Sequence, residues 1–325
     1  MAEDGLPHET FDVVVIGGGP GGLSAALNLV RARRRTLVVD SNRPRNAATL
    51  LARGFLTRDG ISPLELRKLG RDEIERYDEG EVAFAVVEQV RALDGGGFGV
   101  TARGVRGAAD IDVVASAVVI ASGLAETLPA LPSIRAYYGT QLHSCVECDG
   151  YEKSDAELVL IGETDDLAER ALLLSQWSND LIVFTNGVGT VTDDDERMLA
   201  ARGVSVERRP IDDVVGERGV MTGIRLKDGT LIERVGGFIR PLWSPVLDYV
   251  DGLDLDRDAD GLIVVDAKGR TSVPGVYAAG DSTPPGPQQL IVAAGAGAVV
   301  AAAVNRDLIG QSVAEVASVL AAPSQ

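Results

Sequence analysis

Cys145 and Cys148 are the only cysteines in 325 residues. They stand in the run His143-Ser144-Cys145-Val146-Glu147-Cys148-Asp149-Gly150. Two intervening residues let a short turn or a first helical turn bring the sulfurs into bonding range. In a chain otherwise free of cysteine, this spacing reads as a reversible dithiol/disulfide. Such a pair can hold one thiol well below its free value of about 8.5, so that a thiolate exists at neutral pH. His143 and Asp149 flank the pair and are candidates for moving protons; a turn or capping role is the other reading of each. Zinc competes with redox chemistry, but a structural zinc site takes four Cys or His ligands. The chain holds two histidines, His8 and His143, and His8 lies near a terminus expected to fray. Redox chemistry is therefore preferred.

Two elements must position any cofactor for that chemistry. Residues 11–16, Phe-Asp-Val-Val-Val-Ile, form an apolar run suited to a buried parallel strand. Gly17-Gly18-Gly19-Pro20-Gly21-Gly22 follows, then a helical stretch over 23–33 and a second strand, Thr36-Leu37-Val38-Val39-Asp40. This is a whole βαβ fingerprint rather than a lone glycine motif. Gly17 makes the tight turn, Gly19 lets backbone approach a pyrophosphate, and Gly22 lets helix and strand pack closely. The helix N-terminus offers its free N–H groups to the phosphates, and Pro20 stands in the loop before it. Asp40 is placed to accept from ribose hydroxyls. The polar loop Arg43-Pro44-Arg45-Asn46 can wrap a cofactor, with Arg45 and Asn46 reaching phosphate or flavin edges or simply meeting water. Residues 54–61 form a turn-rich loop, and Ser62-Pro63 opens a helix over 64–77. Short strands with Gly-rich turns are expected over 82–112. Ala117-Val118-Val119-Ile120 reads as a buried strand ending in Ala121-Ser122-Gly123.

The same unit recurs later in the chain. Asp12 to Asp40 aligns without a gap on Glu157 to Thr185. The strands repeat, but the chemistry does not. Gly18, Gly19, Pro20, Gly21 and Gly22 become Glu163, Thr164, Asp165, Asp166 and Leu167. Thr164 blocks close backbone approach, and Leu167 should push helix from strand or change the turn. Three carboxylates then stand where a diphosphate would lie. Like charges at about 5 Å cost roughly 3 kcal/mol each at an effective dielectric of about 20. That outweighs a helix-dipole contribution of about 1 kcal/mol. The second strand ends in Thr185-Asn186-Gly187, with no acid for a ribose and no arginine cluster for a 2′-phosphate. Arg197 and Arg202 lie too far along. The second unit is expected to keep the scaffold and bind nicotinamide poorly or not at all.

Near the end, residues 261–281 read as a hairpin leading to a buried strand that stops at Gly280-Asp281. A turn through Pro284-Pro285-Gly286-Pro287 leads to Gln288-Gln289 and a helix of small residues over 291–304. Such a helix packs closely on something flat or on another helix. The apolar run 290–304 is shorter than the roughly 18 residues a membrane span needs. Net charge is −17, which disfavours nucleic acid and anionic membranes as partners. The acidic start, residues 1–10, is unlike a signal peptide. With two cysteines and no such signal, the cytoplasm is expected. The expected fold class is α/β, with two Rossmann-like three-layer dinucleotide-binding domains.

Taken together, the glycine fingerprint, Ala121-Ser122-Gly123, Cys-x-x-Cys-Asp-Gly, and Gly280-Asp281 with Gln289 resemble the low-molecular-weight thioredoxin reductases over nearly the whole chain. The resemblance implies an FAD domain (1–124 and 235–325) interrupted by a smaller pyridine-nucleotide-like domain (125–234) carrying the cysteines. It implies a homodimer, with the helix 291–304 near its interface. It implies FAD held by Gly17, Gly19, Pro20, Gly22, Asp40, Arg45, Asn46, Ala121, Gly123, Gly280, Asp281 and Gln289. Cys148 would face the flavin, Cys145 would meet the thiol substrate, and Asp149, with His143, would serve as acid/base. Departures also count. The family's arginine before the late glutamine is Gln288 here, and its NADPH glycines and basic cluster are missing.

One branch is more similar: the dithiol oxidases that close disulfides in small natural products such as gliotoxin and holomycin. The similarity lies in Arg43-Pro44-Arg45-Asn46, in Gly54-Phe55-Leu56-Thr57-Arg58-Asp59-Gly60 and in His143. Val146-Glu147 differs from that branch's usual apolar pair. The resemblance implies an FAD enzyme that oxidises a small dithiol or protein thiol, without NAD(P)H and with oxygen as acceptor. An NADPH-dependent thioredoxin reductase, a ferredoxin-fed relative and a flavin-binding redox sensor are the alternatives.

Overall fold

The computed structural model describes residues 9–284, 286 and 288–310. His8 and most of the acidic start lie outside the described residues, as do Pro285 and Pro287 of the proline turn. The chain divides into two compact units, residues 1–44, 64–124 and 244–325 against 45–63 and 125–243.

In the first unit the apolar run becomes the strand Glu9–Ile16, paired in parallel with Thr36–Val39 and Ile111–Ile120. Side chains alternate across a strand, and both faces here are covered. Val13 and Val15 meet the layer of helices formed by Pro20–Arg31 and Leu290–Leu308. Val14 and Ile16 meet a second layer built on the antiparallel strands Ala85–Ala92 and Phe98–Gly104. Gly80–Ala83 extends the parallel sheet beyond Thr36–Val39. Val276–Ala278 adds a parallel strand against the end of Ile111–Ile120.

The second unit repeats the plan. Its five-stranded sheet is parallel throughout, in the order Val204–Glu207, Leu181–Phe184, Leu158–Gly162, Gly236–Arg240, Leu142–His143. Leu158 and Leu160 pack with the helices Leu167–Leu174 and Asp193–Ala200. Val159 and Ile161 pack on the antiparallel meander Ile211–Glu217, Val220–Leu226 and Leu231–Glu233. Each unit is thus helices, parallel sheet and antiparallel strands, the three layers expected of the α/β class.

Several boundaries move. The expected return at residue 235 cuts off the strand Gly236–Arg240, which is hydrogen-bonded inside the second unit's sheet; the unit runs on to Trp243. Residues 45–63, expected in the FAD domain, belong to the second unit. The glycine-loop helix starts at Pro20 rather than residue 23, because Gly21 and Gly22 are held helical by packing. It ends before Arg33, whose φ of +60° is incompatible with continuation. The hairpin over 261–270 reduces to the isolated bridges Arg257–Ile263 and Arg270–Tyr277.

The small-residue helix runs Leu290–Leu308, 19 residues. It is therefore longer than the apolar run suggested, and by length and composition it could cross a membrane. One of its faces is buried on the glycine-loop helix. A Cβ at Gly297 would stand 2.0 Å from the Gly21 carbonyl oxygen. Gly297→Ala should therefore destabilise the protein by about 1–3 kcal/mol, read as a lower urea midpoint. A substitution at Gly295, which faces open space, is the control and should cost no more than the helix-propensity difference allows.

Candidate active site

Leu142–His143 is the edge strand of the second sheet, paired with Gly237 and Phe238. Its carboxyl end delivers the cysteine motif, at the edge of a parallel sheet where ligands are commonly met. Cys145 is the N-cap of a single helical turn, Val146–Asp149. That turn places the two Cα atoms 5.3 Å apart, and a disulfide joins the cysteines. The backbone N–H of Cys148 donates to Cys145 Sγ at 3.2 Å. Val146 is buried and anchors the turn, while Glu147 is exposed. Gly150 closes it: a Cβ there would stand 2.7 Å from the Val146 carbonyl and 2.9 Å from the Trp177 ring.

His143 and Asp149, six residues apart in sequence, meet across this turn. His143 Nδ1 lies 3.2 Å from Asp149 Oδ1, with both side chains largely buried. The other ring nitrogen, Nε2, sits 2.8 Å from the Thr140 carbonyl. A carbonyl only accepts, so Nε2 carries a proton. Nδ1 is then a lone pair or a second N–H, and it faces a carboxyl group. Nδ1 makes no hydrogen bond in this geometry.

A second cluster, which the sequence did not single out, supports the entry to the motif. Glu126, with its side chain 9 % exposed, accepts from Arg45 at 3.1 Å, Tyr138 at 2.6 Å, Trp243 Nε1 at 3.3 Å and Ser144 at 3.3 Å. Ser144 immediately precedes Cys145 and also lies 3.0 Å from the Tyr138 hydroxyl. Burial, with the negative charge of Glu126 beside it, pushes the Tyr138 phenol well above its ordinary range. Glu126 left no spacing signal, because its four partners, Arg45, Tyr138, Ser144 and Trp243, are spread along the chain from residue 45 to residue 243.

Arg45 is thus taken up by Glu126 in the second unit. Asn46 follows it in the short turn Arg45–Ala48, where its carbonyl accepts from the Thr49 N–H.

The first unit holds the remaining residues expected to bind a dinucleotide. Gly17 has φ +112°, and a Cβ there would stand 2.3 Å from the Ala121 carbonyl. A Cβ at Gly22 would stand 1.9 Å from the Gly17 carbonyl. Both glycines are demanded by the fold itself. Gly19 is not: nothing lies within 4 Å of where its Cβ would be. It is the N-cap of the helix, and Pro20 follows at its first position. Open space in front of a helix N-terminus fits a diphosphate. Gly123 and Gly280 also have positive φ, +68° and +72°. The Gly123 N–H donates to Ser282, tying the end of the Ile111–Ile120 strand to the segment after Gly280. Asp281 lies in the turn Gly280–Ser282, and Gln289 is the N-cap of the last helix. Gln288 Oε1 is buried with no partner among the described residues.

Asp40 is buried, with Oδ1 accepting from the Asn42 N–H at 2.9 Å and Oδ2 lying 3.4 Å from Arg67. Arg67, unforeseen from the sequence, also donates to Asn42 at 3.1 Å, and burial lowers its pKa.

The second loop is built differently. Leu167 is fully buried, and its side chain fills the space beside Gly162 and Gly189, where Cβ atoms would come within 2.5 and 2.7 Å of it. The helix starts at Leu167 with Asp166 as N-cap, later in the aligned register than the Pro20 start of its counterpart. Leu167 has therefore changed the turn, as expected.

The expectation that three carboxylates would repel a diphosphate needs correction at Asp166, whose charge is already paired. Asp166 accepts from Arg170 and Arg240, each at 2.8 Å, and from the Thr164 hydroxyl at 2.6 Å. Burial opposes its ionisation, but these hydrogen bonds prevail and hold its pKa at about 2. Glu163 accepts from Asn186 at 2.6 Å.

Residues 11–164 and 191–297 match the pyridine nucleotide-disulphide oxidoreductase family. Thioredoxin reductase sirT of Leptosphaeria maculans is 28% identical over 323 residues, covering 94% of this chain and 96% of that protein. The thioredoxin reductase of Aquifex aeolicus is 28% identical over 327 residues, covering 94% and 95%. Among solved structures, HlmI is similar with a TM-score of 0.87 at 38% identity, covering 98% of this chain and 99% of that one. An oxidoreductase from Agrobacterium tumefaciens is similar with a TM-score of 0.83 at 32% identity, covering 93% and 100%.

The two kinds of glycine predict different outcomes. Gly19→Ala should leave the stability of the FAD-free protein within about 0.5 kcal/mol of the parent and weaken FAD binding, measured by flavin titration after the cofactor is stripped.

Proposed function

We propose a thiol-oxidising role from the premise that the chain belongs to the pyridine nucleotide-disulphide oxidoreductase family. It is a thioredoxin reductase-like, flavin-dependent disulfide oxidoreductase that binds FAD. The finer reading is that it closes a disulfide in a dithiol substrate, draws no electrons from NAD(P)H and delivers them to oxygen. The observation that carries it is Leu167, whose side chain fills the second nucleotide loop while the redox cysteines beside it are retained. The likenesses to sirT and to HlmI support the same reading.

In this reading a substrate thiolate attacks Cys145 Sγ. A substrate–Cys145 bond forms as the Cys145–Cys148 bond breaks, and Cys148 leaves as thiolate. The second substrate thiolate then attacks the substrate sulfur of that mixed disulfide. The substrate disulfide forms, and Cys145 leaves as thiolate with the Cys148 N–H already directed at its sulfur. The His143–Asp149 pair accepts a substrate thiol proton and returns it to solvent. FAD held at the Gly17–Gly22 loop would supply the two-electron chemistry that reoxidises the cysteine pair, with oxygen as the final acceptor and peroxide as its product. The substrate is a small dithiol or a protein thiol, and the working form is a homodimer in the cytoplasm.

Two measurements test this. Under anaerobic conditions, dithiothreitol should bleach the flavin absorbance, NADPH and NADH should not, and air should restore it with release of peroxide. Rapid bleaching by NADPH would replace this reading with that of an NADPH-dependent thioredoxin reductase. Cys148→Ser should abolish dithiol turnover with FAD still bound; turnover near the parent rate would sink the assigned role.

A further inference from the structure

Asp166 occupies an unusual position for an N-cap. An aspartate there normally accepts from the backbone of its own helix, yet its side chain makes no such bond. Instead Oδ2 receives the Nε–H groups of Arg170 and Arg240, each at 2.8 Å, and Oδ1 the Thr164 hydroxyl. Arg170 is four residues along the helix, an ordinary neighbour. Arg240 is not local: it comes from the end of the strand Gly236–Arg240. Both guanidinium groups lie over one ring, Trp243, at 5.1 and 4.2 Å from its centroid. Held over this ring, the two Nε–H groups converge on one point, while Nη1 of Arg240 donates to the Pro241 carbonyl. Guanidinium pairs held this way are suited to phosphate oxygens. The point they converge on belongs to the residue aligned with Gly21, in the loop that holds a diphosphate in an intact unit.

We propose that Arg170, Arg240 and Trp243 form an anion site of diphosphate type, and that Asp166 is the built-in anion occupying it. The proposal rests on the nicotinamide-independent reading and gives a physical reason for it: the arginines are already engaged. Without Asp166, two like charges share one aromatic face and an external anion becomes their counter-ion. Other charges near the loop set a limit on affinity. Glu163 is engaged by Asn186, while Asp165 and Glu169 are exposed carboxylates.

The test uses the oxidised holoenzyme, with inorganic pyrophosphate and NADP+ as probes, followed by calorimetry and tryptophan fluorescence. Asp166→Ala should bind pyrophosphate at least about tenfold more tightly than the wild type, the value of one recovered charge-assisted hydrogen bond. Adding Arg240→Ala should erase the gain. Asp166→Asn keeps the shape of the side chain and should show a gain of the same sign, so the idea remains testable if the alanine variant fails to retain FAD. If neither variant exceeds the wild type, the proposal fails while the oxidase reading stands. If the wild type binds NADP+ as tightly as the variants do, the proposal and the nicotinamide-independent reading fall together.

Discussion

A missing atom sets the geometry of the first unit. Gly22 has no Cβ, and one there would stand 1.9 Å from the Gly17 carbonyl oxygen. The helix therefore descends onto the end of its strand, and Gly17 in turn lies against the Ala121 carbonyl. The same closeness recurs on the outer side, where Gly297 meets Gly21. Three backbone-to-backbone approaches thus fix where the helix N-terminus points, and with it the position of any diphosphate. In the second unit Leu167 stands at the equivalent of Gly22, and its buried side chain fills the space beside Gly162 and Gly189 where helix and strand would otherwise close. The scaffold survives because strand pairing and layer packing do not depend on that loop.

Electrostatics follows from partnering rather than from counts. The chain is strongly acidic, with a net charge of −17, yet carboxylates at important positions are matched. Asp166 lies between two arginines, Glu126 accepts from Arg45, and Asp40 faces Arg67. A buried carboxylate left unpaired would cost several kcal/mol. Four donors converging on Glu126 remove that cost and brace Ser144, the residue before Cys145. The redox turn is thereby held on one side by a hydrogen-bonded carboxylate and on the other by the buried Val146 and the glycine at 150. A short edge strand of two residues could not hold it alone.

The meeting of His143 and Asp149 is made by one helical turn. Val146–Asp149 carries Asp149 back toward His143, while the Thr140 carbonyl fixes the far side of the ring. The imidazole is thus presented with its Nδ1 toward the Asp149 carboxyl group, and both side chains are largely buried. The amide directed at Cys145 comes from the same turn. The cysteine pair, the amide directed at its sulfur and the His143–Asp149 approach are thus products of a single local fold.

The sequence by itself determined the α/β layering, the first glycine loop, the repeat of that unit and the cysteine pair. These are local patterns: alternation in a strand, glycines in register and a two-residue spacing. It also determined that Leu167 would alter the second turn, since a side chain cannot occupy a backbone contact. Tertiary structure decided the rest. Only folding brings Arg240 to Asp166, and this pairs the charge of one member of an apparently unpaired acidic cluster. Only folding gathers Arg45, Tyr138, Ser144 and Trp243 around Glu126, and assigns residues 45–63 and the strand Gly236–Arg240 to the second unit. Such partners are far apart along the chain, and a charge read from sequence has no partner until the backbone closes the distance.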